Sequence, residues 1–361
     1  MNKPKIRFKG FEGEWKERKI GDALSINSGR DYKHLEEGDI PVYGTGGYML
    51  SVNERISDCD AIGIGRKGTI DKPQYLRAPF WTVDTLFFLI AKVGIDLDFA
   101  YNLSQVIGWR KYDESTGVPS LSKNNIEKIP ISLPSLPEQR AIASYFTSLD
   151  AQIAASTSRL SSLKQIKAAS LLNMFPQKGE TVPRVRFKGF EGEWKERKLG
   201  EVCLVNRGVR ITRKDLSNAE GYPVFQNTNY PLGFYQYYNV EAKNPFVIIG
   251  GSAGLIGFSN KEFWAADDCV YFKDKEETDK SFLYNILCSH EAEIKKEVRG
   301  SSVPRLDRSI LEKLRINLPS LPEQRAIASY FTALDAQITL HRERLEKLKQ
   351  IKAACLEKMF A

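Results

Sequence analysis

This chain is written twice. Leu133–Thr147 and Leu318–Thr332 share all fifteen residues of LPSLPEQRAIASYFT. Arg7–Lys19 and Arg186–Lys198 share RFKGFEGEWKERK, and Leu163–Ala169 and Leu348–Ala354 share LKQIKAA. The order is the same both times: a short tag, a variable segment, then a helix-like segment. A repeat this long is two copies of a whole module rather than a solenoid. Such a chain should fold with an approximate two-fold axis, as if a homodimer had been fused head to tail. The tags are offset by 179 residues and the later segments by 185, so the six-residue change falls inside the variable segments 20–132 and 199–317.

Each LPSL leads into what reads as a long helix. Pro137 and Pro322 suit a helix start, and Glu138-Gln139 and Glu323-Gln324 place an acidic group in the first turn, where the helix dipole favours it. Apolar residues then step by four and three. They are Ile142, Phe146, Leu149, Ile153, Leu160, Leu163 and Met174 in one copy, and Ile327, Phe331, Leu334, Ile338, Leu345, Leu348 and Met359 in the other. Polar gaps interrupt both seams at matching places: Ser156, Lys167 and Ser170, then His341, Lys352 and Cys355. This is a heptad seam over about five heptads. A helix of roughly 38 residues is ~57 Å long. Each seam could be covered by its own domain, but two matched seams are most simply packed on each other, antiparallel. Phe175–Arg184, FPQKGETVPR, reads as a linker.

The variable segments carry short apolar runs such as WTVDTLFFLI and PFVIIGG, separated by Gly, Pro and Asp, with a helical patch at Ser281–Val298. Weak matches survive between them. AIGIGRKGTID answers VIIGGSAGLIG, FWTVDTLFFL answers FWAADDCVYF, and STGVPSLSKNN answers GSSVPRLDRSI. Trp81 then stands opposite Trp264, both expected in the core, and Pro119 opposite Pro304. A shared framework with divergent loops is the pattern of one scaffold displaying two binding surfaces. The fold class expected is α+β: two β-rich globular domains joined by two long antiparallel coiled-coil helices, pseudo-two-fold symmetric. Its boundaries are a first domain over 1–137, a helix over 138–175, a linker and second domain over 176–322, and a second helix over 323–361.

Catalysis by the chain itself is not expected. No GxxxxGK[ST] loop occurs, NPFV at Asn244–Val247 has one proline where an amino-methyltransferase tetrad has two, and no Pro-Asp dipeptide opens a nuclease motif. Gly63–Gly68, GIGRKG, has phosphate-loop spacing but runs into TIDKPQYLRAPF instead of a helix, so it reads as a glycine turn presenting Arg66 and Lys67. The five cysteines are scattered without Cys-x-x-Cys spacing, as reduced thiols in a cytoplasmic protein would be, and the three histidines lie too far apart in sequence to suggest a metal site. No apolar run approaches a membrane span and the start has no apolar h-region, so the protein is expected inside the cell. The net charge of +8 resides in the repeated parts, because the variable segments carry −3 and 0. Charge alone is a weak argument for nucleic acid.

The arrangement of tag, variable domain, LPxLPEQRxIAxxF and long helix, run through twice, closely resembles the DNA-specificity subunit of type I restriction–modification systems. The resemblance spans essentially the whole chain. It implies that the two variable domains are target-recognition domains, each reading one half of a split, asymmetric site on double-stranded DNA, and that the helices set the gap. It implies as partners two methyltransferase (modification) subunits and restriction/translocase subunits. S-adenosylmethionine, ATP and Mg would be bound by those subunits and no cofactor by this chain.

Candidate DNA contacts follow from the side chains that read bases or hold phosphates. In the first domain they are Thr45, Tyr48, Arg66, Lys67, Thr116, Ser120 and Lys123, all in Gly- or Pro-marked loops. In the second they are Asn227, Thr228, Asn229, Ser252, Arg299, Ser302 and Arg305. Glu138, Gln139 and Arg140, with Glu323, Gln324 and Arg325, are either helix-start chemistry or identical docking faces for two modification subunits. The rival function is a coiled-coil scaffold whose β-rich domains bind proteins or glycans.

Overall fold

The computed structural model describes residues 4–218 and 220–360. The chain divides into two compact units, Met1–Thr157 with Glu343–Ala361, and Ser158–Arg342. Each unit therefore owns one variable domain, the start of one long helix and the end of the other.

In the first unit a four-stranded antiparallel sheet runs in the order Leu24–Ser28, Leu86–Ala91, Ala61–Gly65, Gln74–Leu76. Beside it lies a three-stranded sheet, Gly47–Val52, Glu37–Gly44 and Trp81–Thr82, the last parallel to the middle strand. The second unit repeats both. Cys203–Arg207, Cys269–Asp274, Asn244–Ile248 and Ile256–Ser259 form one sheet, and Gly233–Tyr235, Tyr222–Phe225 and Trp264–Ala265 the other. Along the edge strand Leu24–Ser28, Leu24 and Ile26 are buried while Ser25 is exposed, the period of two of a half-covered strand. The inner strand Ala61–Gly65 is buried at every residue.

Each unit has two apolar cores. In the first, Trp15, Phe99 and Phe146 meet Phe360, which comes from beyond the second long helix, at 5.5–6.4 Å between rings, with Phe87 and Trp109 in the same core. Val42, Phe80, Trp81 and Phe88 form the other. In the second, Phe175 meets Trp194, Phe282 and Phe331 at 5.7–6.1 Å between rings, and Phe225, Phe246 and Phe263 make the smaller cluster. Trp81 is in the core as expected. Trp264 is only half-buried, edge-on to Tyr235 at 5.0 Å. Both indole N–H groups donate to backbone oxygen, Trp81 to Arg30 at 3.0 Å and Trp264 to Val209 at 2.9 Å. Just before these acceptors, a Cβ on Gly29 would stand 2.0 Å from the Val83 oxygen, and one on Gly208 2.2 Å from the Ala266 oxygen. Only glycine lets the two backbones cross there.

The long helices span Leu136–Asn173 and Leu321–Met359. The seam expected from the heptads is the buried one: Ile142, Phe146, Leu149, Leu160, Leu163 and Met174, and their counterparts Ile327 to Met359, face inward. Within the first unit the two helices run antiparallel. Lys352 Nζ donates to Asp150 Oδ1 at 2.6 Å, and Tyr145 Oη lies 3.4 Å from Cys355 Sγ. The second unit repeats this with Lys167 to Asp335 at 2.6 Å and Ser170 to Tyr330 at 2.9 Å. The polar gaps at Lys167, Ser170, Lys352 and Cys355 are thus filled by cross-helix partners, which favours one register over a slipped one. No described helix is long and apolar enough to cross a membrane.

Candidate functional site

Hydrogen bonds assign the two variable domains to one frame more securely than sequence matching. Ile64 pairs with Phe87 and Val247 with Val270, while Phe80 and Phe263 hold the same place in the two copies. Val247 therefore corresponds to Ile64, and the glycine-guided match of Ala61 to Val247 is displaced by three residues. In the corrected frame Gly68 and Gly251 are equivalent. Gly68 N donates to Pro119 O at 2.9 Å and Gly251 N to Pro304 O at 3.1 Å. Lys67 then matches Gly250 and Ser120 matches Arg305, because Lys67 pairs with Ser120 in the first domain as Gly250 pairs with Arg305 in the second.

Three loops meet in the first domain. The hairpin turn at Thr45-Gly46 is clamped by Gln74, whose Nε2 donates to Gly44 O at 2.9 Å and Thr45 O at 3.2 Å. The glycine turn bearing Arg66 and Lys67 passes beside it, with Gly68 at φ +87° and its open side 4.0 Å from Thr45 Oγ1. The arm 113–121 closes the third side through Leu121 N to Arg66 O at 2.9 Å. Asp113 shapes that arm. Its Oδ1 accepts from Ser120 N, Ser115 N and Ser115 Oγ at 2.8–3.0 Å, which holds the carboxyl below its ordinary range. Thr45, Arg66, Lys67 and Ser120 are thereby brought together. Tyr48 is exposed on the adjoining strand, Thr116 is exposed on the arm, and Lys123 begins a short helix where it faces Glu127 at 3.9 Å.

The second domain builds the same frame with other side chains. Ser252 N donates to Asn227 O at 3.0 Å, and a Cβ on Gly251, at φ +80°, would meet Asn227 Cβ at 2.9 Å. Arg299 and Arg305 exchange backbone hydrogen bonds at 2.9 and 2.8 Å, and Arg305 Nη1 bonds Asp268 Oδ1 at 2.9 Å. Asn227, Ser252, Arg299 and Arg305 thus cluster. Thr228 turns its hydroxyl onto Tyr230 O at 2.9 Å, Asn229 is half-buried nearby in sequence, and Ser302 is exposed at the arm's tip. Sequence reading missed Gln74 and Asp113, which shape the first cluster, and Arg207 and Arg308, which line a cleft with Arg299 and Arg305 in the second domain. For Arg207 the signal available was its place just before a glycine equivalent to Gly29.

The duplicated LPEQR element has a different place. Glu138 is 1% exposed and Gln139 2%, with Glu323 at 1% and Gln324 at 5%. Arg7 Nε and Nη2 each donate to one Glu138 oxygen at 2.7 Å, and Arg186 grips Glu323 at 2.7 and 2.8 Å. Each arginine also reaches back to its own tag, Nη1 to Gly13 O or Gly192 O at 2.6 Å. Gln139 accepts from Asp96 N at 3.0 Å and donates to Pro134 O at 3.0 Å. Gln324 does the same with Asp279 N at 3.2 Å and Pro319 O at 3.1 Å. Asp96 and Asp279 in turn cap the helices Leu97–Val106 and Lys280–Ser289. Of the two roles expected for this element, these contacts match the structural one at the helix start. Glu138, Gln139, Glu323 and Gln324 are turned inward and fully engaged, leaving Arg140 and Arg325 exposed, the latter with Glu277 at 2.9 Å. The two identical segments, tag and LPEQR, are the two halves of one latch.

Known proteins share both the frame and its duplication. The type I restriction modification DNA specificity domain matches this chain twice, at residues 12–165 and 191–350. The type I restriction enzyme MjaVIII specificity subunit of Methanocaldococcus jannaschii is 22% identical over 290 residues, covering 72% of this chain and 68% of that protein. The EcoprrI specificity subunit of Escherichia coli is 22% identical over 176 residues, 46% of this chain and 43% of that one. The crystal structure of a type I restriction–modification S subunit from M. genitalium superposes with a TM-score of 0.78 at 17% identity, covering 99% of both chains. Matched twice by one domain family over most of its length, this chain belongs to the specificity subunits of type I restriction–modification systems.

Proposed function

We propose that this chain is a non-catalytic reader of double-stranded DNA, in which each variable domain recognises one half of a bipartite, asymmetric site through its three-loop cluster. The long helices set the gap between the halves. Modification subunits dock on the chain and carry S-adenosylmethionine and the methyl transfer, and restriction subunits add ATP- and Mg-dependent cleavage. One observation carries the reading: equivalent positions of a shared backbone frame bear different side chains. Thr45 stands for Asn227 and Lys67 for Gly250. A frame kept while its loop chemistry changes suits two half-sites of different sequence.

The test is a methylome. Cells carrying the chain with a modification subunit should methylate a split motif, and exchanging 20–132 for another recognition domain should change one half only. Change in both halves defeats independent reading. Absence of any chain-dependent methylation or DNA binding favours the scaffold instead.

A further inference from the structure

The second domain has an open cleft of 660 Å³ whose lining includes Arg207, Arg299, Arg305 and Arg308 together with the carboxylates Glu297 and Asp307 and an apolar floor from Ile249, Leu306 and Ile310. The equivalent positions of the first domain carry no such set of arginines. In the corrected frame Ser28 stands for Arg207, each preceding the crossing glycine. Glu114 stands for Arg299 and Ser120 for Arg305, since Glu114 N donates to Ser120 O as Arg299 N does to Arg305 O. Lys123 stands for Arg308, each opening a short helix. The substitution runs the other way on the glycine turn, where Arg66 and Lys67 face Ile249 and Gly250. Apart from the shared cation at Lys123 and Arg308, the two domains therefore carry these cations on different loops.

The cleft arginines are tethered and not spent. Arg299 Nη1 donates to Lys296 O at 2.7 Å and Val298 O at 3.3 Å and its Nη2 contacts Glu297 at 3.3 Å, while Arg305 Nη1 contacts Asp268 at 2.9 Å and Arg308 Nε contacts Glu312 at 3.1 Å. Arg207 Nε donates to Asp267 O at 2.6 Å. The side chains of Arg299, Arg305 and Arg308 remain 73%, 59% and 49% exposed, so these pairs are weakly held and leave free N–H groups facing solvent. Planar guanidinium forks gathered at one concave place suit a phosphodiester oxygen pair, whereas lysine acts there only as a point charge.

We propose that this cleft is a phosphate clamp: it grips the DNA backbone at the second half-site, apart from the neighbouring base-reading loops at 226–229 and 251–252. The proposal rests on the DNA-reading function proposed above. It assigns Arg207 and Arg308 a role, and it separates holding from reading within one domain.

The test measures affinity of the full chain with a type I modification subunit for motif-bearing and motif-free duplexes across salt concentrations. Arg299→Gln with Arg308→Gln leaves the Arg305–Asp268 contact intact, and an unchanged unfolding midpoint controls for folding. The slope of log affinity against log salt should become shallower by about two, with binding to both duplexes weakened some tens-fold near 0.1 M salt. The methylated motif should stay the same. In the opposite sense, Glu114→Arg in the first domain should steepen the slope by about one. An unchanged slope in the double variant overturns the clamp, and so does a motif altered at one base of the second half-site, because the arginines would then be reading sequence. A wild-type complex that binds no DNA overturns the function reading along with it, an outcome distinct from the other two.

Discussion

Arg7→Met should cost far more than its place in a charged tag suggests. Its guanidinium forms a two-pronged bond with a carboxylate whose side chain is 2% exposed, and the remaining donor to Glu138 is Trp15 Nε1 at 3.3 Å. Removing the arginine strands a buried charge, which costs about 3–5 kcal/mol, against about 0–1 for an exposed pair. On a unit of this size that is roughly 6–20 °C in Tm at about 2–4 °C per kcal/mol. Arg7→Met with Glu138→Leu should cost several kcal/mol less than the two single changes summed, because no uncompensated charge is left. The chain supplies its own control: Arg186→Met should weaken the other unit in the same way through Glu323, whose side chain is also 2% exposed. Urea unfolding followed by amide exchange in each unit reads both effects. A loss below about 1 kcal/mol for Arg7→Met, or strict additivity in the double variant, would refute the buried latch.

Gly29→Ala and Gly208→Ala should each cost about 3 kcal/mol or more, since the new methyl meets a backbone oxygen that cannot swing away. Gly117→Ala, with nothing within 4 Å, should stay within about 0.5 kcal/mol. Thermal unfolding decides, and a native-like Gly29→Ala would show the crossing to be loose. Asp113 gives a pH signature. Its folded pKa is depressed first by the Ser120 and Ser115 amides, so its contribution is present above the ordinary carboxylate range near 4 and lost as pH falls through the folded value. Exchange of the Ser115 and Ser120 amides should accelerate over that acid range beyond the intrinsic rate, and Asp113→Asn should abolish the pH dependence. Protection in the wild type that is unmoved by acid would remove Asp113 as the arm's organiser.

The features legible in the sequence were those that repeat or keep a period. The duplication, both long helices and their buried faces follow from apolar spacing, and even the polar gaps at Lys167 and Lys352 mark where cross-helix partners sit. Two features were hidden for physical reasons. The glycine-rich strands slide against each other in any residue match, because AIGIG and VIIGG look alike at three offsets, and only pairing with the strand after Phe80 or Phe263 sets the register. The inward turn of Glu138 depends on Arg7, 131 residues earlier, so no local pattern could distinguish a capping carboxylate from a docking one. The cluster of Thr45, Arg66 and Ser120 was reachable from loop chemistry, whereas Arg207 emerges only once the frame aligns it with Ser28.

The latch has a consequence for how such a chain can change. Gln139 and Gln324 hydrogen-bond to the variable domain through a main-chain atom, the Asp96 or Asp279 amide, while their other bond stays within the repeated Pro134 or Pro319. Arg7 and Arg186 likewise touch Glu138 or Glu323 and carbonyls of their own tag. The hydrogen bonds of this joint are blind to the side chains of the part they hold, and only the apolar core beneath them is not. It works as a standard fitting: a domain that brings an amide to that spot and an apolar face to that core can be seated, and the loops above it can be rewritten without loosening the mount.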